Sequence, residues 1–266
     1  HSHNNLGFVL RGARRFQEAE EQWERAVAIY AISASPDDEP YRQAADSLLN
    51  RYMEQSQFDK ARALVVSTIE RLRALGKGQG GAAARWYVRL SNVELMAGRA
   101  TLAREHAAHA LQLRDAAATR GPELVEALNS LARADRALAN YLAAEGHYKR
   151  GIAALDLATN RANIGILNDN LAVLYGIMGR YDEAEVRHKR ALELLEAELG
   201  RQHKVVGETA ANLGALLYQA GRATDAEPFL MRGIEIAEAQ SPLDKVAIAI
   251  INDNLSGVYR ATARHD

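Results

Sequence analysis

Between Leu171 and Leu195 the apolar side chains follow a helical rhythm that breaks once. Leu171, Leu174, Tyr175 and Met178 keep the i, i+3, i+4, i+7 spacing of one helix face, Gly179-Arg180 interrupts it, and Ala184, His188, Ala191, Leu192 and Leu195 resume it. The pattern predicts a helical hairpin. Ala184 and Ala191 are small enough for the two helices to approach closely, and Tyr181 stands where a large ring would wedge the turn.

The same rhythm recurs along the whole chain. The phrase Asn-Asp-Asn-Leu stands at 168–171 and 252–255, and Ala211-Asn212-Leu213 lies halfway between. Carried upstream, this frame finds LARADRALANYLAAEGHYKRGI (131–152), LSNVELMAGRATLAREHAAHAL (90–111), LLNRYMEQSQFDKARALVVSTI (48–69) and LGFVLRGARRFQEAEEQWERAV (6–27). Its leading leucines are Leu6, Leu48, Leu90, Leu131, Leu171, Leu213 and Leu255, at steps of 42, 42, 41, 40, 42 and 42. Six full repeats plus a terminal helix follow, with units near 1–34, 35–80, 81–119, 120–159, 160–201 and 202–241 and a half unit at 242–266. Ser35-Pro36-Asp37-Asp38 and Ser241-Pro242-Leu243-Asp244 read as serine caps with proline in the first turn, so helices are expected to begin there. The stretch Gly76-Lys77-Gly78-Gln79-Gly80-Gly81 reads as a loop and not a boundary, because the frame runs through it. A single all-α domain over 1–266 is expected, with strand-like alternation hard to find.

Composition narrows the function classes. The chain has 266 residues, 48% apolar and 25% charged, enough for a sizeable core. Its 33 Lys plus Arg face 34 Asp plus Glu, without the basic excess of a nucleic-acid binder. No run reaches the ~18 apolar residues of a membrane span, and residues 1–15 show no signal-peptide pattern. Neither nucleic acid nor membrane is expected as a partner, and a cytoplasmic location is. There is no cysteine, which excludes disulfides and thiolate metal ligands.

Candidate chemistry is thin. Glu105-His106 with His109 lacks the order of a zinc helix, and both histidines are expected to face solvent between buried Ala103, Ala107 and Ala110. His188 fills the slot of a packing aromatic and reads as a core histidine, and Trp23, Trp86 and Tyr148 read as packing residues. Gly78-Gln79-Gly80-Gly81 lacks the ending of a phosphate loop. No enzyme activity, metal or cofactor is expected.

Asn-Leu-Ala/Gly, then Tyr, then Gly-x-Tyr-x-x-Ala, then an aromatic and Ala-Leu resembles the tetratricopeptide repeat. The 42-residue step, with YDEAEVRHKRALELLEAELGRQH (181–203) and DAEP (225–228), is similar to the kinesin-light-chain type. The resemblance spans nearly the whole chain and is strongest in units five and six. Ser56 and Ala139 depart from it at the turn glycine. It implies a right-handed superhelical solenoid of hairpins whose first helices line an inner groove.

In the resemblance, the positions just before and just after each leading leucine face that groove. The stripe contains Asn5, Asn50, Asn92, Asn129, Asp169, Asn170, Asn212 and Asn254. In such grooves asparagines hydrogen-bond the backbone of an extended peptide, which suits a group that both donates and accepts. A plainer role is open for Asn170, Asn212 and Asn254, which can tie one helix to its neighbour. Arg85, Arg89, Arg133 and Arg136 favour an acidic partner segment, since guanidinium forks match carboxylates, although exposed arginines are also ordinary solvated surface. The family's clamp for chaperone carboxyl termini is rejected, because its slots hold Asn4, Phe8, Ser47, Arg85 and Arg89.

The expected function is a non-enzymatic protein–protein interaction scaffold that binds an extended, acidic partner segment, with self-association compatible. The alternative is a sensor or oligomerisation arm of a larger signalling protein of nucleotide-switch ATPase or protease type. An opening inside a helix and an ending at Ala263-Arg264-His265-Asp266, where a turn is starting, are read as signs of an excerpt from a longer array.

Overall fold

The computed structural model describes residues 2–240 and 245–262. Among them are thirteen α-helices and no strand. The cap expected at 241–244 and the turn expected at 263–266 lie outside the described residues. Two compact units divide the chain, residues 1–138 and 139–266.

The first unit holds α1 (Ser2–Gly12), α2 (Phe16–Ser33), α3 (Glu39–Glu54), α4 (Phe58–Ala74), α5 (Gly81–Met96), α6 (Ala100–Ala116) and α7 (Pro122–Ala137). Hairpins α1/α2, α3/α4 and α5/α6 stack in chain order, and α7 packs on both α5 and α6. The second unit holds α8 (Tyr141–Ala153), α9 (Arg161–Ile177), α10 (Tyr181–Leu199), α11 (Lys204–Gln219), α12 (Ala223–Glu238) and α13 (Lys245–Ala261). Here α9/α10 and α11/α12 are the hairpins, with α8 against α9 and α13 against both helices of the last pair.

Small residues bring the helices of a hairpin together. Ala184 and Ala191 are fully buried, and a Cβ placed on Gly165 would stand 2.7 Å from Leu195 Cγ. Close approach multiplies dispersion contacts along the seam. The turn residue is left-handed in every hairpin, with φ of 76° at Gly98, 73° at Gly179 and 79° at Gly221. Arg14, Ser56 and Ala139 adopt the same turn at 60°, 56° and 59°, so the turn geometry survives without glycine.

Six of the leading leucines, from Leu48 to Leu255, are buried, but Leu6 is 44% exposed. Leu6 lies on α1, whose main neighbour is α2, whereas later first helices are also covered by the preceding hairpin.

Four positions beyond the leading leucine, polar side chains fasten successive hairpins. Arg62 on α4 donates to the fully buried Glu94 on α5 at 2.8 Å, with Arg99 on its other oxygen, and Arg104 on α6 donates to the fully buried Asp135 on α7 at 2.7 Å. In the second unit Tyr175 on α9 donates to Glu145 on α8 at 2.9 Å.

Three local expectations are corrected. Ser35–Asp38 is a turn ahead of α3 and not its first turn: the Asp38 carboxylate accepts the Ser35 N–H at 2.8 Å, and the helix starts at Glu39 with Pro40 in its opening residues. Tyr181 is 37% exposed, more open than a ring wedged fully into the turn. His106 and His109 are half-buried instead of solvent-facing, because Tyr87 reaches them from α5, with ring centroids 6.2 and 4.4 Å away.

Candidate functional site

In the first unit the first helices of three successive hairpins, α3, α5 and α7, face one open cleft of about 570 Å³. Five of the residues expected in the groove meet there: Asn50 from α3, Arg89 and Asn92 from α5, and Asn129 and Arg133 from α7. Leu49, Val88 and Val93 form a buried apolar floor, with Met53 and Met96 towards the rim. Such a surface offers apolar burial together with a few directional polar groups, which is what an extended segment needs.

The cleft also contains two acids. Arg89 holds Asp46 through both ends of its fork, Nε to Oδ1 at 2.5 Å and Nη2 to Oδ2 at 2.7 Å, and lies 5.1 Å over the Trp86 ring. Asp46 stands two residues before Leu48, at one of the groove positions that the resemblance implies. Glu126 on α7 adds a second carboxylate, one turn from Ser130. Two arginines thus face two acids in the lining. Arg133 Nη1 donates to Asn92 Oδ1 at 3.1 Å, and Ser130 Oγ donates to Ser91 Oγ at 3.0 Å, so α5 and α7 are held in register beneath the cleft.

The other first-unit candidates do not join this lining. Asn5 is exposed on α1, while Arg85 and Arg136 are half-buried at the start of α5 and the end of α7.

In the second unit the polar stripe is largely knitted together. Asp169 accepts from Asn212 at 3.1 Å and bonds the buried His188 Nδ1 at 2.8 Å, which joins α9, α10 and α11. Asn212 therefore ties neighbouring helices, the plainer of its two roles. Asn254 turns back on its own helix and donates to the Ile250 carbonyl at 3.0 Å, and Asn170 is half-buried. A smaller cleft of about 160 Å³ lies between α11, α12 and α13, with Asn212, Ala211 and Gly233 at its base and Ile250 at its lip. His188 is a core histidine, and Trp23, Trp86 and Tyr148 are packing residues with almost no exposure.

Among the described residues no group of three or more His, Cys, Asp or Glu is placed to hold a metal ion, and no helix is long and apolar enough to cross a membrane.

Tetratricopeptide repeat models match residues 2–38 and 163–239. No match was found among curated protein sequences. Solved structures share the fold. BtubC (BKLC) from P. vanneervenii is 24% identical over 83% of this chain and 90% of that chain, with a TM-score of 0.68. The nearly identical TPR-like repeats of a kinesin-light-chain protein from Podosopora anserina are 17% identical over 74% and 94%, at 0.59. A Rap protein complexed with Competence and Sporulation Factor is 12% identical over 99% and 87%, at 0.69. With its 42-residue frame, its stacked hairpins and these matches, the chain carries tetratricopeptide repeats at both matched stretches and has the tetratricopeptide-repeat fold, an architecture that serves as a protein-interaction scaffold.

Proposed function

We propose that the cleft of α3, α5 and α7 binds an extended segment of a protein partner. The observation that carries this reading is the convergence of amides from three successive first helices, Asn50, Asn92 and Asn129, on one open cleft with an apolar floor. The amides hydrogen-bond the partner's backbone and fix its register. Arg133 and Arg89 draw acidic side chains, Arg89 by exchanging Asp46 for a carboxylate of the partner. The Rap protein complexed with Competence and Sporulation Factor supports the reading that this fold holds a separate partner.

Selection of displayed random peptides on the wild-type protein tests the reading. Enriched peptides are then titrated at two salt concentrations against an Asn92→Ala/Asn129→Ala variant and an Arg89→Glu/Arg133→Glu variant, with circular dichroism as the folding control. Amide loss is expected to weaken binding about 3- to 10-fold for every peptide, and charge reversal to abolish binding of acidic ones at low salt. Equal affinity of all three proteins would sink the cleft and leave the sensor-arm reading.

A further inference from the structure

Arg114 occupies a position built for a leucine. It stands 24 residues after Leu90, and the matching positions after Leu48 and Leu171 are the buried Leu72 and Leu195. Arg114 is itself only 5% exposed, and its Nε and Nη2 have no hydrogen-bond partner. A buried guanidinium without an acceptor is a costly arrangement, and an unseen anion is one of the few things that rationalise it.

The hairpin aims that guanidinium at a helix start. Arg114 lies in the last turn of α6, and the antiparallel partner α5 begins beside it at Gly81. Nη1 is 2.9 Å from where a Cβ on residue 81 would stand, so any side chain there would displace the guanidinium from the helix start. The first turn of α5 contains no acidic residue, and its cap Gly80 has no side chain to accept the leading N–H groups. The positive end of the α5 dipole therefore faces a positive side chain, and Arg85 follows one turn later. Burial disfavours the charged form of Arg114 and lowers its pKa, and the fields of Glu123 and Glu126 on α7, which do not bond it, offset this only in part.

We propose that a phosphate-type oxyanion binds where the Arg114 guanidinium meets the amino end of α5, beside Gly81, with Arg85 adding attraction. Phosphate suits the place better than a carboxylate. Its double charge answers two arginines and a helix dipole, and its several oxygens can take the guanidinium and the backbone N–H groups together. The source is either free phosphate or a phosphorylated side chain of a protein partner. The site does not depend on the cleft of α3, α5 and α7.

The test is thermal unfolding with inorganic phosphate against chloride at matched ionic strength, for wild type, Arg114→Met and Gly81→Ala. Wild type should show a saturable rise of about 3 °C at tenfold excess over Kd. Arg114→Met should melt higher in chloride, having lost an unpartnered buried charge, and show no phosphate response. Gly81→Ala retains the charge, displaces the guanidinium from the helix start and should lose most of the response, which keeps the proposal testable if Arg114→Met does not fold. A serine peptide with and without phosphate, followed by calorimetry, separates the sources: preference for the phosphopeptide over inorganic phosphate points to a phosphoprotein, and parity to the free ion. No phosphate response in wild type, or the same response in wild type and both variants, overturns the site.

Discussion

Arg89 clasps Asp46 in a two-pronged ion pair across 43 residues of sequence, at 2.5 and 2.7 Å, with Trp86 beneath the guanidinium. The pair joins α5 to α3 inside the candidate cleft, so the arginine that would recognise an acidic partner already holds a carboxylate. Asp46 and an incoming acid compete for one fork.

Replacing Asp46 with asparagine should therefore sharpen the cleft's charge preference. Both side chains are partly solvated, 24% and 35% exposed, so the stability cost should stay below about 1 kcal/mol. Affinity for an acidic peptide selected on the wild type should rise about fivefold and become more salt-dependent, while a neutral peptide should be unaffected. Fluorescence anisotropy at two salt concentrations reads both; unchanged affinity for the acidic peptide would mean that Arg89 is a fixed strut and not a reader.

The left-handed turn residues give a stability prediction. Ala139 at φ 59° and Ser56 at φ 56° hold a conformation that costs an L-residue about 1 kcal/mol or more relative to glycine. Part of that gain is offset by the greater freedom of glycine in the unfolded chain. Ala139→Gly and Ser56→Gly should each stabilise by about 0.5–1 kcal/mol, and Gly179→Ala should destabilise by a similar amount, read from urea midpoints at constant slope.

That turn was legible in the sequence only as a frame position. Gly98, Gly179 and Gly221 announce it, and the leucine spacing extends it to Ser56 and Ala139. The helices and the cleft residues Asn50, Arg89, Asn92, Asn129 and Arg133 followed from the same frame. The frame does not report what one polar side chain does to another. Asp46 against Arg89, Asn212 against Asp169, and Glu94 between Arg62 and Arg99 each need two residues from different hairpins, and pairing of that kind leaves no periodic trace. Arg114 in a leucine position breaks the pattern outright, and the break becomes informative only once its surroundings are seen.

Two leucines in one frame position should behave differently. Leu171 is fully buried, so Leu171→Ala should cost about 2–5 kcal/mol by lost transfer energy and a residual cavity. Leu6 is 44% exposed, so Leu6→Ala should stay within about 0.5 kcal/mol. Chemical denaturation separates the two, and equal costs would show that the α1 position is covered in solution.

The second unit should lose stability in acid, and Glu145 should account for a distinct share of the loss. Burial raises its carboxyl, but hydrogen bonds from Lys149, Tyr175 and Arg180 outweigh that and leave it below its ordinary value of 4.5. A depressed folded-state value means that the unfolded chain binds the proton more readily. The contribution is therefore whole above the unfolded value and drains away as pH falls through the folded one. Arg180 also lowers Glu183, and Lys189 with Arg222 lowers Glu185, so several groups share the limb below about pH 4.5. Glu145→Gln keeps the shape but removes the titration: it should cost about 1–2 kcal/mol at neutral pH and shrink the stability lost between about pH 5 and 3.5. Urea midpoints for the two proteins across that range give the comparison. Parallel curves would assign the acid sensitivity to Glu183, Glu185 and the remaining carboxylates, and would reduce the contact between Glu145 and Tyr175 to packing.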